Sequence, residues 1–460
     1  MYNLIVVLNK NCKMEMINMI LEFKTKNYKS FVDEAVFSMT AAPKQKGLDY
    51  SLLAKKTKGK SVKGLCSSVI YGPNASGKTN IIGAMDTFRA IVLRGHIRNS
   101  EDQSSPNQAS STLELIPNNT AKCSEPVLFS IEFIENDLLI HYEVSLDLGC
   151  FLDNEHIRKV LREELHVNNE KIFIRDDKLS FGDFKNINKS LADNIYRNED
   201  SIIEISKNSL NDEELFLMNG FKLIISQSFV KLITNWFANK FMVVYRADSL
   251  QLIKRFVDPQ KQTIYVEKTT NNAAKLFGIN SNALGYVVSE DEADAKLFSI
   301  FKNMKDQKNA FVAAEVFESY GTIRFVNMFP LVIRAILTGG TLVVDEFDAS
   351  IHPMALMSII NIFHNDEINV NNAQLIFNTH NPIFLNSNIF RRDEIKFVER
   401  GDDNNNSVLY SLSDFGTTGE KGVRKHEDYM KNYFISQYGA IKDIDFTPIF
   451  EGLISKEREV

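Results

Sequence analysis

Gly72, Pro73, Asn74, Ala75, Ser76, Gly77, Lys78 and Thr79 satisfy the spacing G-x-x-x-x-G-K-[ST], a pattern that wraps backbone N–H groups around a triphosphate. The glycines let the chain turn tightly enough for successive amides and a helix N-terminus to point at the same phosphate oxygens. Lys78 would reach the β- and γ-phosphates, and the Thr79 hydroxyl would be a ligand of Mg²⁺. Asn80, the next residue, is grouped with them as nucleotide-binding. Such a loop needs a strand before it and a helix after it. Residues 65–71 form an apolar run of strand length, and Ile81, Ile82 and Met85 recur at helical spacing behind Lys78.

A second set of polar residues lies far downstream. Residues 341–344 are an apolar strand ending in Asp345 and Glu346, and ligands of open α/β sheets gather at the carboxyl ends of the strands. Asp345 is read as a Mg²⁺ ligand and Glu346 as the general base that polarises an attacking water. The same Asp-Glu pair after a strand is also a common helix-start signal. Upstream, Ser319, Gly321 and Thr322 head an apolar helix over residues 325–337, which places a hydroxyl and an amide at a positive helix end. Downstream, residues 374–379 form a strand that delivers His380 to its tip. A lone histidine is more often structural, but its position after the Asp-Glu strand favours chemistry.

The elements that must position these groups can be read from the same pattern. Residues 20–24 alternate as a strand, 27–31 turn into a second one, and 35–39 continue the sheet. Residues 127–133 and 138–146 read as a hairpin around Glu135, Asn136 and Asp137. The expected fold is α/β, a P-loop nucleotide-binding head with mixed sheet and a mostly helical insertion. Its divisions are an extension over 1–18, an N-terminal lobe over 19–157, an insertion or dimerisation domain over 158–307, and a C-terminal lobe over 308–460. Phe229, Leu232, Ile233 and Trp236 follow helical spacing and are read as packing residues. No heptad repeat is sustained, so no long coiled-coil arm is expected.

The 460 residues, 44% of them hydrophobic, suffice for a sizeable core. A net charge of −6 argues against a globally basic nucleic-acid coat, although a local basic face is invisible to that sum. Cys12, Cys66, Cys123 and Cys150 form no C-x-x-C pair, so buried free thiols in a reducing cytoplasm are expected rather than a zinc or disulfide framework. No run approaches about 18 uncharged apolar residues, so no membrane partner is expected.

In these residues the chain resembles the ATP-binding-cassette ATPases of the SMC, RecF and OLD type, over about residues 20–150 and 310–445. The resemblance implies a Walker A loop at 72–79, a signature motif at 319–324, Walker B at 342–346, a D-loop at Asp348, Ala349 and Ser350, and a switch histidine at His380. It also makes Lys29 and Ser30, within Asn27, Tyr28, Lys29, Ser30 and Phe31, part of the nucleotide-edge turn. Within that group the chain is most similar to bacterial phage-defence and abortive-infection ATPases of the RloA/AbiLi type and the AriA subunit of PARIS. The late pattern that carries this is Phe415-Gly416, Val423-Arg424-Lys425, Tyr433 and Gln437-Tyr438-Gly439-Ala440. The signature departs from E-S-S-G-T-Q-R at Tyr320 and Ile323, which points to slow or conditional hydrolysis. The Q-loop glutamine falls on Gln103 or Gln108 by position only.

The resemblance implies ATP and Mg²⁺ as cofactors and a homo-oligomer, at least a dimer, in which Walker A of one protomer faces the signature of another. The leading expectation is a defence ATPase that senses a phage protein or nucleic acid and controls a separately encoded toxic effector, such as a TOPRIM-type nuclease. Asp402-Asp403 does not supply the D-x-D that an internal TOPRIM nuclease would need. The alternative is an SMC- or RecF-like ATPase that clamps or repairs DNA. A transport ATPase lacks its membrane span, and a GTPase lacks the N/T-K-x-D base-reading motif.

Overall fold

Strands buried along their whole length must be covered on both faces, and at the centre of this protein Ser67–Tyr71, Thr341–Val344 and Gln374–Asn378 are of this kind. The structure, a computed structural model, describes residues 18–458 apart from 44, 46, 58–59, 99–112, 121–123, 154, 194–197, 246–262, 267, 280, 289–294, 304, 306–307, 402–403, 417–421, 425–426 and 443. The extension 1–17, Gln103, Gln108, the pair Asp402-Asp403 and Lys425 therefore lie outside the described residues.

The central sheet has six strands in the order Phe241–Val244, Thr341–Val344, Gln374–Asn378, Ser67–Tyr71, Ile395–Arg400 and Ser407–Ser411. The first five are mutually parallel and the last is antiparallel. Alternate residues divide between two cores. Ile70, Val343, Ile376 and Val398 face one, while Val69, Tyr71, Leu342, Val344, Leu375 and Phe377 face the other. Parallel register also brings the carboxyl ends of Ser67–Tyr71, Thr341–Val344 and Gln374–Asn378 to one edge, just where Gly72, Asp345 and His380 follow.

The first core is closed by a seven-stranded antiparallel sheet in the order Leu179–Phe181, Glu170–Arg175, Lys159–Val167, Leu138–Asp147, Val127–Glu135, Met19–Lys26 and Ala35–Ser38. The helix Lys78–Arg94 packs within this core. Its Phe88 meets Phe23, Phe129 and Tyr142 of the antiparallel sheet and Phe237 beyond it. Gln374 ties the two sheets, since its side chain bonds the Ile20 N–H and carbonyl, the Leu65 carbonyl and the Thr341 hydroxyl. The second core is covered by the helices Tyr320–Thr338 and Pro353–His364. Tyr320–Thr338 is long and apolar enough to cross a bilayer by length and composition, and half of its apolar window is buried inside the protein.

The segment 158–307 is shared among the sheets. Lys159–Val167, Glu170–Arg175 and Leu179–Phe181 continue the antiparallel meander from Leu138–Asp147, and Phe241–Val244 is the edge of the central sheet. Thr263–Tyr265, Ala283–Val288 and Ala295–Lys302 join Asn309–Ala313 in a four-stranded antiparallel sheet. The segment's helices include Glu199–Asn208 and Gln227–Asn235. Trp236 stacks between Phe133 and Phe241, with ring centroids 3.9 and 5.2 Å away, which is the packing role expected of it.

The late residues close over the outer strands. The Tyr410 hydroxyl donates to the Tyr438 carbonyl at 2.7 Å, and the Tyr433 hydroxyl donates to the Ala440 carbonyl at 2.9 Å. Arg392 binds the carbonyls of Gly416 and Val423.

Candidate functional site

The phosphate loop links the end of Ser67–Tyr71 to the start of Lys78–Arg94 and bends through positive φ at Ala75 (62°) and Gly77 (111°). A Cβ at Gly77 would lie 2.7 Å from both Ser30 Oγ and Ser407 Oγ, so two other segments crowd this turn. Asn80 donates its side-chain amide to Ser30 Oγ at 2.7 Å. The Ser407 hydroxyl donates to the Ser76 carbonyl, and the Ser407 N–H donates to the Ser30 carbonyl. Ser30 therefore buttresses the loop from outside.

Two features of the loop fit a bound triphosphate. Ser76 is 1% exposed, and its Oγ has no hydrogen-bond partner. Buried polar atoms are usually paired, so this one leaves the loop with a hydroxyl open to a phosphate oxygen. Lys78 is also buried, and its ammonium folds back onto the carbonyls of Gly72 (2.7 Å) and Pro73 (2.9 Å). Burial lowers the Lys78 pKa to about 8, against the opposing pull of Asp345, Glu346 and Asp348. An anion at the loop would favour its charged form further.

The Thr79 hydroxyl donates to Asp345 Oδ1 at 3.1 Å, so the two expected Mg²⁺ ligands stand side by side. Glu346 is exposed beside the buried Asp345. His380 sits within the same field: partial loss of water and the Lys78 ammonium hold its imidazole below its ordinary pKa, opposed by Asp348, Glu346 and Asp345. Lys78, Thr79, Asp345, Glu346, Asp348 and His380 thus converge on one edge of the sheet.

Ser319, Gly321 and Thr322 form a separate station. Ser319 caps the helix Tyr320–Thr338 by accepting from the Thr322 N–H, and its hydroxyl shares a hydrogen bond with that of Thr322. A Cβ at Gly321 would come within 2.0 Å of the Ser350 carbonyl, which locks this helix start against the loop after Glu346. Lys29, expected at the nucleotide edge, has protein partners in this structure. Its ammonium pairs with the Glu114 carboxylate and bonds the Tyr245 hydroxyl at 2.9 Å. The attraction of a nearby carboxylate in a half-buried setting accounts for that orientation.

Two residues of the site were given no role from the sequence: Asn378, which falls in no motif, and Arg324, which closes the signature segment 319–324. Asn378 donates to Asp345 Oδ1 and accepts from the Glu346 N–H. Arg324, 4% exposed, donates to the carbonyls of Asp345 and Glu346. Their legible trace is polarity in apolar company: an asparagine closing the strand Gln374–Asn378 and an arginine on the buried face of Tyr320–Thr338.

No curated protein matches the chain. Among solved structures it is similar to the SMC head domain from Thermotoga maritima, at 13% identity and a TM-score of 0.38, covering 85% of this chain and 98% of that one. The family described as "AAA domain, putative AbiEii toxin, Type IV TA system" matches residues 67–386, which begin at the strand leading into the phosphate loop and run past His380. The protein carries the P-loop fold, and with that match over more than half of its length it belongs to this family of AAA-type ATPase domains.

Proposed function

We propose that the chain hydrolyses ATP at a site completed by a second copy of itself, and that it serves anti-phage defence by controlling a separate toxic effector. The observation that carries the hydrolytic part is the convergence of Lys78, the Thr79–Asp345 pair, Glu346 and His380 at one sheet edge. Mg²⁺ held by Thr79 and Asp345 would neutralise charge on the transferred phosphoryl group. Lys78 exchanges the Gly72 and Pro73 carbonyls for phosphate oxygens. The Glu346 carboxylate accepts the proton of the attacking water, and the neutral His380 ring donates one N–H toward the γ-phosphate.

A second copy is supported by the surroundings of Ser319. Val316 (81% exposed), Phe317 and Tyr320 leave apolar surface open beside the helix start that would face the partner's nucleotide. The family's description as an AbiEii-type toxin of type IV toxin–antitoxin systems supports the defence reading. The cytoplasm, a phage protein or nucleic-acid trigger and a TOPRIM-type effector complete that reading. The test is phage challenge of cells carrying this gene and its neighbours, with wild type, Lys78→Ala and Glu346→Gln. Protection that requires Lys78 and a co-purifying neighbour supports the proposal. Equal plating with Lys78→Ala removes it.

A further inference from the structure

Glu346 holds a left-handed backbone, φ 50°, that a residue with a Cβ adopts only when its surroundings impose it. Arg324 and the Ala349 N–H hold its carbonyl, and Asn378 holds its N–H side. The Asn378 side-chain oxygen accepts the Glu346 N–H, and the Asn378 backbone carbonyl accepts the Phe347 N–H at 3.2 Å. The Asn378 amide nitrogen donates at 2.5 Å to Asp345 Oδ1, the oxygen that also takes the Thr79 hydroxyl. Asn378 therefore grips three consecutive residues, Asp345, Glu346 and Phe347. Its orientation is not interchangeable, because an N–H must meet an acceptor on one side and a carboxylate must meet a donor on the other. At 1% exposure, water cannot replace either bond.

We propose that Asn378 is a positioning residue for hydrolysis, fixing the backbone from which Glu346 reaches the water. The proposal rests on the ATPase reading and deepens it. Asn378 stands two residues before His380 on the same chain, so the group that would sense the γ-phosphate and the group that would activate water share one mechanical support. Neither Ala nor Asp at 378 reproduces both bonds. Ala removes both, whereas Asp keeps an acceptor for the Glu346 N–H but sets a second carboxylate against Asp345.

The experiment compares steady-state ATP turnover, MgATP binding and thermal stability of the full chain as wild type, Asn378→Ala, Asn378→Asp, Lys78→Ala, Glu346→Gln and the Asn378→Ala/Glu346→Gln double variant. Expected is a fall in kcat of about 10- to 100-fold for both Asn378 variants, with KM and MgATP affinity within about threefold of wild type. The double variant should turn over no more slowly than Glu346→Gln alone, since both changes disable one group. Should Asn378→Ala not fold, the isosteric Asn378→Asp carries the same reading. Wild-type kcat in a folded Asn378 variant, a kcat loss matched by equal loss of MgATP affinity, or a further loss in the double variant overturns the positioning role alone. A wild type with no Lys78-dependent turnover overturns the ATPase reading, and this inference with it.

Discussion

The Thr79 hydroxyl lies 3.1 Å from Asp345 Oδ1 although 266 positions separate the two residues. A hydroxyl and a carboxylate oxygen so placed, one on each of two adjoining segments, form a hard-oxygen pair suited to Mg²⁺. Asp345→Asn should weaken ATP binding in Mg²⁺ by about tenfold, or 1.4 kcal/mol, and have little effect in EDTA. Titration with a fluorescent ATP analogue in the two buffers checks this, and equal weakening in both would assign Asp345 a purely structural task.

Lys78 and Glu346 separate binding from chemistry. Lys78→Ala should abolish the rise in melting temperature that MgATP produces in wild type, because binding to the folded state stabilises it by mass action. Glu346→Gln should keep that rise and accumulate an ATP-bound oligomer. Light scattering behind a sizing column, with and without MgATP, reads the outcome; a monomer under all conditions would count against the composite site.

Gly77 is required by space as well as by conformation. At φ 111° a side chain is strained, and a Cβ would press on Ser30 Oγ and Ser407 Oγ. Gly77→Ala should cost roughly 1–3 kcal/mol in urea unfolding and abolish ATP-dependent stabilisation. A variant that unfolds and binds like wild type would show that the loop relaxes freely.

Lys396 makes stability depend on pH. It is fully buried, donates to the Asp393 carbonyl at 2.8 Å, and burial lowers its pKa to about 8 against the pull of Asp393, Asp414 and Glu394. Between about pH 8 and the unfolded value near 10.5, the unfolded chain binds a proton that the folded chain has released, so this residue makes stability rise with pH. The difference in unfolding free energy between wild type and Lys396→Met should therefore shift in favour of wild type as pH increases from 8 to 9.5. A difference that stays flat over that window would show that the ammonium is kept charged in the fold.

Much of the site was written along the chain. The phosphate loop, the Asp345-Glu346 strand end and His380 are local patterns, each following a short strand, and motif spacing together with strand periodicity singles them out as candidates. The hairpin Val127–Glu135 with Leu138–Asp147 and the packing role of Trp236 were equally legible, since alternation and helical spacing mark buried faces. Convergence was not legible. Register between parallel strands is set by hydrogen bonds across distant segments, and only that register brings Gly72, Asp345 and His380 to one edge. The tertiary structure also turned the Lys29 ammonium to Glu114 and Tyr245, placed strands of 158–307 in the lobe sheets, and made Asn378 the clasp of Glu346. A side chain's partners depend on which desolvated groups surround it, and that is decided by packing rather than by neighbours in sequence. The sequence by itself determined which residue types were available for chemistry; the three-dimensional register decided which of them stand together.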